Sequence, residues 1–287
     1  MKTCLITGAS GFIGNYMVNN LQKKYRTIAV SNKNKCHAVS DVENVKIDLA
    51  TPAIEKIRGY CPDIIIHCAG MTDLRECEKE RKKAYKINYL SVEKLVQMAE
   101  EMSSYFIFIS TDQVFDGKRG YYKEDDVSNP VNFYGRTKLD AEGIIKEHNV
   151  RYLICRTSSV YGLPYGNRDN FVKFLIEHLE RGDRVSLYSD LYSSPTYVKE
   201  LCGIIEMLIE KKKRGVFHAV GGQRLSRYEL GILICQALGF QTSLIEMSAY
   251  ISEGFDRPLD SSLRRSEMPS GIEDCGIHYY LNDMVRL

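Results

Sequence analysis

The chain has 287 residues, of which 44% are hydrophobic and 26% are charged, a balance typical of globular proteins and not of disordered, collagen-like or coiled-coil chains. Its 39 basic and 37 acidic residues give a net charge of +2, which argues against a nucleic-acid-binding protein. The apolar runs are much shorter than the roughly 20 residues of a bilayer span, so no membrane segment is expected. Nine scattered cysteines without C-x-x-C spacing predict buried thiols in a reducing cytoplasm and no metal site.

The first half of the chain alternates short β-rich segments with amphipathic segments. The isoleucines at 64–66 predict a strand that is buried on both faces, as in a parallel sheet. This alternation predicts an α/β fold with a Rossmann-type doubly wound parallel sheet. In chain order, the predicted elements are strand 2–7, helix 12–24, strands 26–31 and 44–48, helix 53–60, strand 63–68, helix 78–102, strand 105–110, helix 134–148 and strand 151–157.

The pattern changes after residue 160. Loops rich in Gly, Asn, Asp and Ser separate predicted helices at 171–181, 198–212 and 226–238 from a predicted strand at 215–219. We therefore predict a dinucleotide-binding domain at 1–160 and a smaller mixed α/β substrate lobe at 161–287. The boundary is approximate, and the two lobes are free to interleave.

A glycine-rich segment, GASGFIG, follows the first predicted strand and begins the first predicted helix. Gly8 permits a tight turn, Gly11 allows close approach of a pyrophosphate, and Gly14 allows the helix and strand to pack closely. The helix N-terminus then offers free N–H groups to the anion. The alternative is an ordinary glycine-rich turn. The predicted dinucleotide-binding residues of this segment are Gly8, Ser10, Gly11, Phe12, Ile13 and Gly14.

The end of the second predicted strand bears on cofactor choice. NAD-dependent proteins commonly have an acid there, which accepts hydrogen bonds from the ribose hydroxyls. Here Ser31, Asn32 and Lys33 follow instead, and this polar, basic surface suits a 2′-phosphate unless it is simply a solvated loop. NADP(H) is therefore favoured, with NAD(H) still usable. Asp48 and Leu49 end the third predicted strand, where a side chain can reach the adenine.

A Tyr-x-x-x-Lys motif begins the helix predicted at 134–148. Tyr134 and Lys138 share one helix face, and a lysine ammonium there would favour the phenolate and lower the tyrosine pKa. Thr111 follows the fifth predicted strand, at the edge of the sheet where ligands bind. Because these residues follow a glycine loop in this order, they predict a catalytic group rather than a chance motif.

These features resemble the extended short-chain dehydrogenases/reductases and, within them, the dTDP-4-dehydrorhamnose reductase family. The resemblance implies reduction of the 4-keto group of a nucleoside diphosphate 4-keto-6-deoxy sugar, with Thr111, Tyr134 and Lys138 as the catalytic triad. Tyr134 would give its proton to the substrate oxygen as hydride arrives from the nicotinamide. The matching segments are TGASGFIG, HCAGMTDLRECE, ISTDQVFDG, YGRTKLDAE, CRTSSVYG, DNF, SSPTY, GVFHAVGG and RPLDSSL.

The resemblance also implies further site residues. Asn88 resembles the residue that supports the lysine through water. Independently of the resemblance, two arginines of the second half are candidate partners of the diphosphate through fork-like hydrogen bonds, with an ordinary surface charge as the alternative for each. Cofactor contacts are expected from Cys68, Ala69, Gly70, Asn88, Tyr134 and Lys138, and substrate contacts from Thr72, Thr111, Gln113, Asn170, Arg257 and Arg264.

The chain departs from the family pattern at two positions near the sugar. Gln113 stands where members commonly have tyrosine, and Ser159 where they have an aromatic residue. The acidic residues with which some members bind a metal at a dimer interface have no clear match, and a homodimer is left open.

Three alternative functions remain open at this stage. A dehydratase needs an acid pair after the fifth strand, but Gln113 is an amide and cannot act as a base. An epimerase would retain NAD and not exchange it. The regulatory subunit of methionine adenosyltransferase resembles the same family, so a non-catalytic NADP-binding subunit is the third alternative.

Overall fold

The computed structural model describes residues 1–38, 42–165, 169–252, 254–265 and 276–285. Its strands are β1 (Thr3–Thr7), β2 (Arg26–Ser31), β3 (Glu43–Lys46), β4 (Ile64–His67), β5 (Tyr105–Thr111), β6 (Arg151–Thr157), β7 (Val160–Tyr161), β8 (Val185–Tyr188), β9 (Tyr192–Ser193), β10 (Thr196–Tyr197), β11 (Gly215–His218), β12 (Leu225–Ser226) and β13 (Ile245–Ser248). Its α-helices are α1 (Phe12–Leu21), α2 (Leu74–Lys79), α3 (Arg81–Tyr85), α4 (Ser91–Glu101), α5 (Phe133–Glu147), α6 (Phe171–Glu180), α7 (Val198–Glu210), α8 (Arg227–Ala237) and α9 (Gly276–Val285).

Seven parallel strands form the central sheet, in the order β11-β6-β5-β4-β1-β2-β3. Strand β1 pairs with β2 on one side and with β4 on the other, so that Thr7 lies opposite both Val30 and His67. This reversal of strand order is the switch point of a doubly wound sheet, and ligands bind there outside the carboxyl ends of the strands. The predicted Rossmann-type fold is confirmed.

Both faces of the sheet are buried, because successive side chains of a strand point to opposite faces. Ile6 and Ile66 pack with α1 and α7 on one face, and Leu5 and Ile65 pack with α4 and α5 on the other. All four side chains are fully buried, and each such burial stabilises the fold by roughly 1.5–3 kcal/mol. Burial on both faces explains the continuous isoleucine run of β4.

The strand predicted at 215–219 lies in the central sheet and not in the smaller lobe. It is β11, which pairs in parallel with β6 and places Val216 opposite Ile154. Helix α7, which precedes it, packs beside α1 on the same face of the sheet. A local apolar pattern predicts that a strand forms but not which strand it pairs with. Residues 198–218 therefore return to the central sheet, and the two lobes interleave along the chain.

The single helix predicted at 78–102 is interrupted in two places. Helix α2 ends at Lys79, and Glu80 leaves the helical region with φ −112° and ψ 49° before α3 begins. Residues Lys86–Leu90 then form a π-helical turn between α3 and α4. A π-turn hardly disturbs the apolar spacing, so the pattern does not reveal it, although such turns are frequent at functional sites.

Strands β8, β9, β12 and β13 and helices α6 and α8 form a smaller mixed α/β lobe beside the carboxyl ends of β5 and β6. Strands β8 and β13 pair in parallel, and β9 pairs with β12 in antiparallel orientation. Helices α6 and α8 pack against β8. Among the described residues, none of the helices has both the length and the apolar character needed to cross a bilayer.

Candidate active site

A cavity of about 400 Å³ lies beside the glycine loop, at the carboxyl ends of β1 and β2. Gly8 has a φ of +66°, and a Cβ there would lie 2.6 Å from the Ala69 nitrogen. A Cβ on Gly14 would lie 2.2 Å from the Gly8 oxygen, so α1 packs directly on the loop. Gly11 gives α1 no side-chain cap, which leaves first-turn N–H groups available to an anion.

Most of the predicted cofactor residues line this cavity. Ser31 ends β2 at its rim, followed by the exposed Asn32 and Lys33. The Ser31 hydroxyl is buried and has no hydrogen-bond partner within the described residues. A buried hydroxyl without a partner is costly, and a ligand at this edge would satisfy it. The predicted residues that line the cavity are Gly8, Ser10, Gly11, Ser31, Asn32, Lys33, Asp48, Leu49, Cys68, Ala69 and Gly70.

Three predicted residues of the glycine-rich segment do not line the cavity: Phe12, Ile13 and Gly14. They form the first turn of α1, where Phe12 and Ile13 pack against the core and Gly14 is buried. Conversely, no motif marked the rest of the lining, because it consists of ordinary strand, loop and helix residues. These additional residues are Val30, Asn34, Ile47, Ala50 and Ile87.

Asn88 fixes the loop after β4 and does not line the cofactor cavity. Its Oδ1 accepts a hydrogen bond from the Met71 nitrogen at 2.8 Å, and its Nδ2 donates to the Met71 oxygen at 2.9 Å. The same Nδ2 donates to Thr137 Oγ1 at 3.1 Å. Asn88 therefore reaches the neighbour of Lys138 directly, and it holds the π-turn that brings Ile87 to the cavity.

Lys138 lies behind the wall of the cofactor cavity. It is buried, its Nζ donates to the Ile109 oxygen at 2.6 Å, and that nitrogen lies 3.8 Å from the centre of the Phe108 ring. Burial lowers the pKa of Lys138 to about 7, and the charges of Glu142 and Cys68 oppose this shift. Burial raises the pKa of the Cys68 thiol, and the lysine charge opposes that rise. Cys68 lines the cavity.

Tyr134 lies one helical turn before Lys138 and lines a second cavity. Burial raises the pKa of the Tyr134 phenol; a hydrogen bond with the Thr111 side chain opposes the rise, and the Asp112 carboxylate adds to it. The Lys138 Nζ is directed at a backbone carbonyl, and the expectation that its charge favours the Tyr134 phenolate stays a prediction. Thr111 is buried behind Tyr134 and does not itself line the second cavity.

Asp112 is the centre of a buried cluster that sequence spacing did not reveal. Its Oδ2 accepts hydrogen bonds from the Ser158 and Ser261 hydroxyls at 2.6 and 2.5 Å. Its Oδ1 lies 3.1 Å from Thr111 Oγ1 and 3.4 Å from Gln113 Nε2. Burial raises the pKa of Asp112, and these hydrogen bonds oppose that shift. Because Ser261 is 149 positions away, no local pattern could connect the two residues.

The second cavity, of about 460 Å³, lies between the carboxyl end of β5 and the smaller lobe. From the central sheet side it is lined by Thr72, Asp112, Gln113 and Tyr134. Gln113 Oε1 accepts a hydrogen bond from Asn132 Nδ2 at 3.0 Å, which orients its amide. The polar and aromatic lining of the smaller lobe consists of Ser159, Phe171, Phe174, Ser186, Tyr188, Tyr192, Ser193, Arg227, Arg257 and Ser261.

Two arginines line this cavity and repel each other. Burial and, to a smaller extent, the nearby charge of Arg257 lower the pKa of Arg227 to about 10, and the Asp112 carboxylate opposes this shift. The Arg227 guanidinium also lies 4.1 Å from the centre of the Phe171 ring. Sequence reasoning missed Arg227, although the capping box of Ser226 and Glu229 makes it the first residue of α8. Two positive charges in one cavity raise the local positive potential, which would attract an anion.

Besides Thr111, two predicted substrate residues do not line the cavity. Asn170 caps α6, since its Oδ1 accepts from the Lys173 nitrogen and its Nδ2 donates to the Gly162 oxygen, both at 2.9 Å. The Arg264 side chain is exposed, and its backbone nitrogen donates to the Tyr122 oxygen at 2.7 Å. Both residues therefore have local structural contacts, and their contacts with substrate stay predictions.

A buried ion pair anchors α5, the helix that carries Tyr134, to the sheet. Glu142 is fully buried and binds Arg156 of β6 through contacts of 2.7 and 3.0 Å. The Ser110 hydroxyl of β5 donates to Glu142 at 2.6 Å. The pair thus joins one helix to two strands next to the site.

Among the described residues, no three His, Cys, Asp or Glu side chains are arranged to hold a metal ion.

Comparison with known proteins supports the same fold and family. The family model described as RmlD substrate binding domain matches residues 1–278. The chain is 31% identical over 250 residues to the spore coat polysaccharide biosynthesis protein SpsK of Bacillus subtilis, covering 86% of this chain and 83% of that protein. It is 30% identical over 243 residues to a dTDP-4-dehydrorhamnose reductase of Aggregatibacter actinomycetemcomitans, covering 82% and 78%.

Two further similarities bear on function. The chain is 27% identical over 250 residues to methionine adenosyltransferase 2 subunit beta of Mus musculus, covering 84% of this chain and 74% of that protein. The crystal structure of dTDP-4-dehydrorhamnose reductase from Bacillus anthracis in complex with NADP has a TM-score of 0.87 and 28% identity, covering 99% of both chains. The chain therefore belongs to the RmlD substrate-binding domain family of the extended short-chain dehydrogenases/reductases.

Proposed function

We propose that this protein reduces the 4-keto group of a nucleoside diphosphate 4-keto-6-deoxy sugar, with NADPH as the favoured cofactor and NADH as a usable one. The observation that carries the proposal is the position of α5 between the two cavities. Tyr134 lines the substrate cavity, and Lys138, one turn later, lies behind the cofactor-cavity wall at Cys68. A proton donor and a cofactor-side cation are thus held on one rigid helix.

The cofactor cavity fits a dinucleotide. The close packing at Gly14 and the uncapped start of α1 suit a pyrophosphate, and the hydroxyl of Ser31 lacks a partner at the rim. Lys33 supplies a positive charge beside it. When bound, the cofactor supplies hydride. The relative from Bacillus anthracis was solved in complex with NADP, which supports NADP(H) as a cofactor of this chain.

Tyr134 would donate its proton to the ketone oxygen as that oxygen gains negative charge. General acid catalysis of this kind contributes typically 10²–10⁴-fold. Thr111, which hydrogen-bonds Tyr134, would stabilise the phenolate that remains. Lys138 would be charged at the acidic side of its pKa of about 7 and would then favour the phenolate electrostatically.

Arg227 and Arg257 would bind the diphosphate of the sugar nucleotide. Their mutual repulsion is relieved when an anion lies between them, and guanidinium groups bind phosphate oxygens through paired hydrogen bonds. Aromatic residues of the same cavity, including Phe171 and Tyr188, offer surfaces for the sugar or the base. The relatives named as a polysaccharide biosynthesis protein and a dTDP-4-dehydrorhamnose reductase support a sugar nucleotide as substrate.

A second candidate is a cofactor-binding subunit of another enzyme, which the similarity to methionine adenosyltransferase 2 subunit beta favours. One assay separates the two. The purified protein is mixed with NADPH and, in turn, with dTDP-, UDP- and GDP-linked 4-keto-6-deoxy sugars, and the absorbance of reduced nicotinamide is followed. We expect turnover with one of them and its loss in Tyr134→Phe. Tight NADPH binding without turnover of any of these sugars would favour the subunit.

A further inference from the structure

The Thr111 hydroxyl carries one proton and two lone pairs, so its contacts constrain one another. One lone pair is used, because the Gln113 backbone nitrogen donates to Thr111 Oγ1 at 3.2 Å. The remaining proton and lone pair serve Asp112 on one side, at 3.1 Å, and Tyr134 on the other. Whichever partner receives the proton, the other must supply one.

An ionised Asp112 could only accept, so it would take the Thr111 proton. Thr111 would then accept from the Tyr134 hydroxyl, which would direct the catalytic proton away from the substrate. It would also leave the phenolate without a donor once the proton had been transferred. A neutral Asp112 reverses both contacts, since it donates to Thr111, and Thr111 donates to Tyr134.

We propose that Asp112 is a positioning residue that works as a neutral carboxylic acid and, by donating to Thr111, directs the Thr111 proton toward Tyr134. The inference rests on the proposed reductase function. Only the ionisation of Asp112 itself can be tested without that function.

Burial of Asp112 favours the neutral form. The residue is 5% exposed, and its four hydrogen-bond partners within the described residues are neutral groups that bring no compensating charge, although their hydrogen bonds favour the carboxylate. The Ser158 and Ser261 hydroxyls both donate to Oδ2, which leaves Oδ1 to carry the proton toward Thr111.

Titratable groups of α5 and α8 act on Asp112 through space, and Arg257 lines the same cavity. Tyr134 of α5 is neutral, and a negative charge on Asp112 would disfavour its phenolate form. Arg227 of α8 interacts favourably with the carboxylate and works against the neutral form. A bound diphosphate would neutralise Arg227, so the neutral acid is expected to be most stable in the complex with substrate.

The first experiment measures ionisation directly. The carboxyl carbons of ¹³C-labelled aspartate are titrated by NMR in the NADPH-bound protein, and the Asp112 resonance is assigned by its loss in Asp112→Asn. We expect Asp112 to stay protonated to a pH well above the ordinary aspartate value of about 3.9. Ser261→Ala removes one donor to the carboxylate and should raise the midpoint by about one to two pH units.

Ser262→Ala is the matched control. Ser262 is buried beside Ser261, but its hydroxyl donates to Asp260 at 2.6 Å and not to Asp112. The Asp112 midpoint in Ser262→Ala should equal that in the wild type. An Asp112 that is ionised throughout the range from about pH 5 upward, or equal shifts in the two serine variants, would overturn the proposal. If Asp112→Asn does not fold, the resonance that moves in Ser261→Ala identifies Asp112.

The second experiment follows kcat against pH with the substrate found for the reductase. The value of kcat should fall as pH rises through the Asp112 midpoint. The pH at which kcat falls should be higher in Ser261→Ala than in the wild type and unchanged in Ser262→Ala. Lys138 titrates in the same region, but neither substitution touches it. Asp112→Asn can present a permanent N–H donor to Thr111, so its kcat should exceed that of Asp112→Ala by about tenfold or more.

The proposal would be contradicted if the pH at which kcat falls were the same in Ser261→Ala as in the wild type. It would also be contradicted if kcat of Asp112→Asn did not exceed that of Asp112→Ala. Failure to find any reduced sugar nucleotide would count against the reductase function alone, because the NMR titration would still report the state of Asp112.

Discussion

The anion site formed by Arg227 and Arg257 gives the sharpest prediction about substrate binding. Replacing either arginine with alanine removes charge-assisted hydrogen bonds to the diphosphate, each worth about 1.5–3 kcal/mol. Since 1.4 kcal/mol corresponds to about tenfold, KM for the sugar nucleotide should rise by roughly 10- to 100-fold in each variant. The ketone is reduced at Tyr134 and not at the arginines, so kcat should change much less.

The two effects should not simply add. In the free protein the like charges repel, and a bound anion would relieve this repulsion. Each single variant loses this relief together with its own hydrogen bonds, whereas the double variant loses the relief only once. The double variant should therefore lose less than the product of the single losses. KM is measured at fixed and then rising salt, because screening weakens interactions between partly exposed charges.

Arg264→Ala is the control for this prediction. Arg264 is an exposed arginine just beyond the segment that carries Arg257, and it lies outside the cavity. Its loss should leave KM within about twofold of the wild type, as for an ordinary surface charge. A wild-type KM in both Arg227→Ala and Arg257→Ala, or an equal rise in Arg264→Ala, would refute this assignment of the diphosphate site.

Three other predictions concern the cofactor, the chemistry and the fold. Lys33→Glu should reverse a modest preference for NADPH, because an exposed lysine contributes only about 0–1 kcal/mol to binding a 2′-phosphate; a wild type that clearly prefers NADH, judged by kcat/KM at fixed salt, would show that the Ser31 rim does not bind this phosphate. Tyr134→Phe should slow hydride transfer by about 10²–10⁴-fold in single-turnover measurements, and an unchanged rate would remove the tyrosine from its role. Glu142→Ala should lower the free energy of unfolding by about 3–5 kcal/mol, because it leaves Arg156 buried without its charged partner; urea denaturation that shows a loss below about 1 kcal/mol, the value of a surface pair, would contradict this.

The fold was predictable where local patterns determine local structure. The alternation of strands and helices, the glycine loop and the buried isoleucines of β4 all led to the correct parallel sheet. The placement of β11 was wrong because the pattern of residues 215–219 predicts a strand without specifying its neighbour. The π-turn at Lys86–Leu90 escaped because it leaves the apolar spacing of the long helix almost intact.

The site was predictable where a motif follows a strand. Gly8 and Cys68 each follow a strand of the central sheet and line the cofactor cavity, as expected. The smaller lobe was harder, because its contacts join residues far apart in sequence. From the sequence, Arg264 looked as suitable as Arg257 for binding the diphosphate. Only the folded chain shows that Arg227, and not Arg264, lines the cavity beside Arg257. The Asp112–Ser261 contact is of the same kind.

The most direct test of the reductase is the fate of a labelled hydride. NADPH deuterated at the transferred position is incubated with the 4-keto-6-deoxy sugar nucleotide that supports turnover, and the product is analysed by NMR and mass spectrometry. We expect a product with one deuterium atom at C4 and a hydroxyl in place of the ketone. One molecule of oxidised cofactor should be released for each molecule of product. Deuterium at another carbon, or a changed sugar without net oxidation of the cofactor, would contradict it and indicate a different reaction.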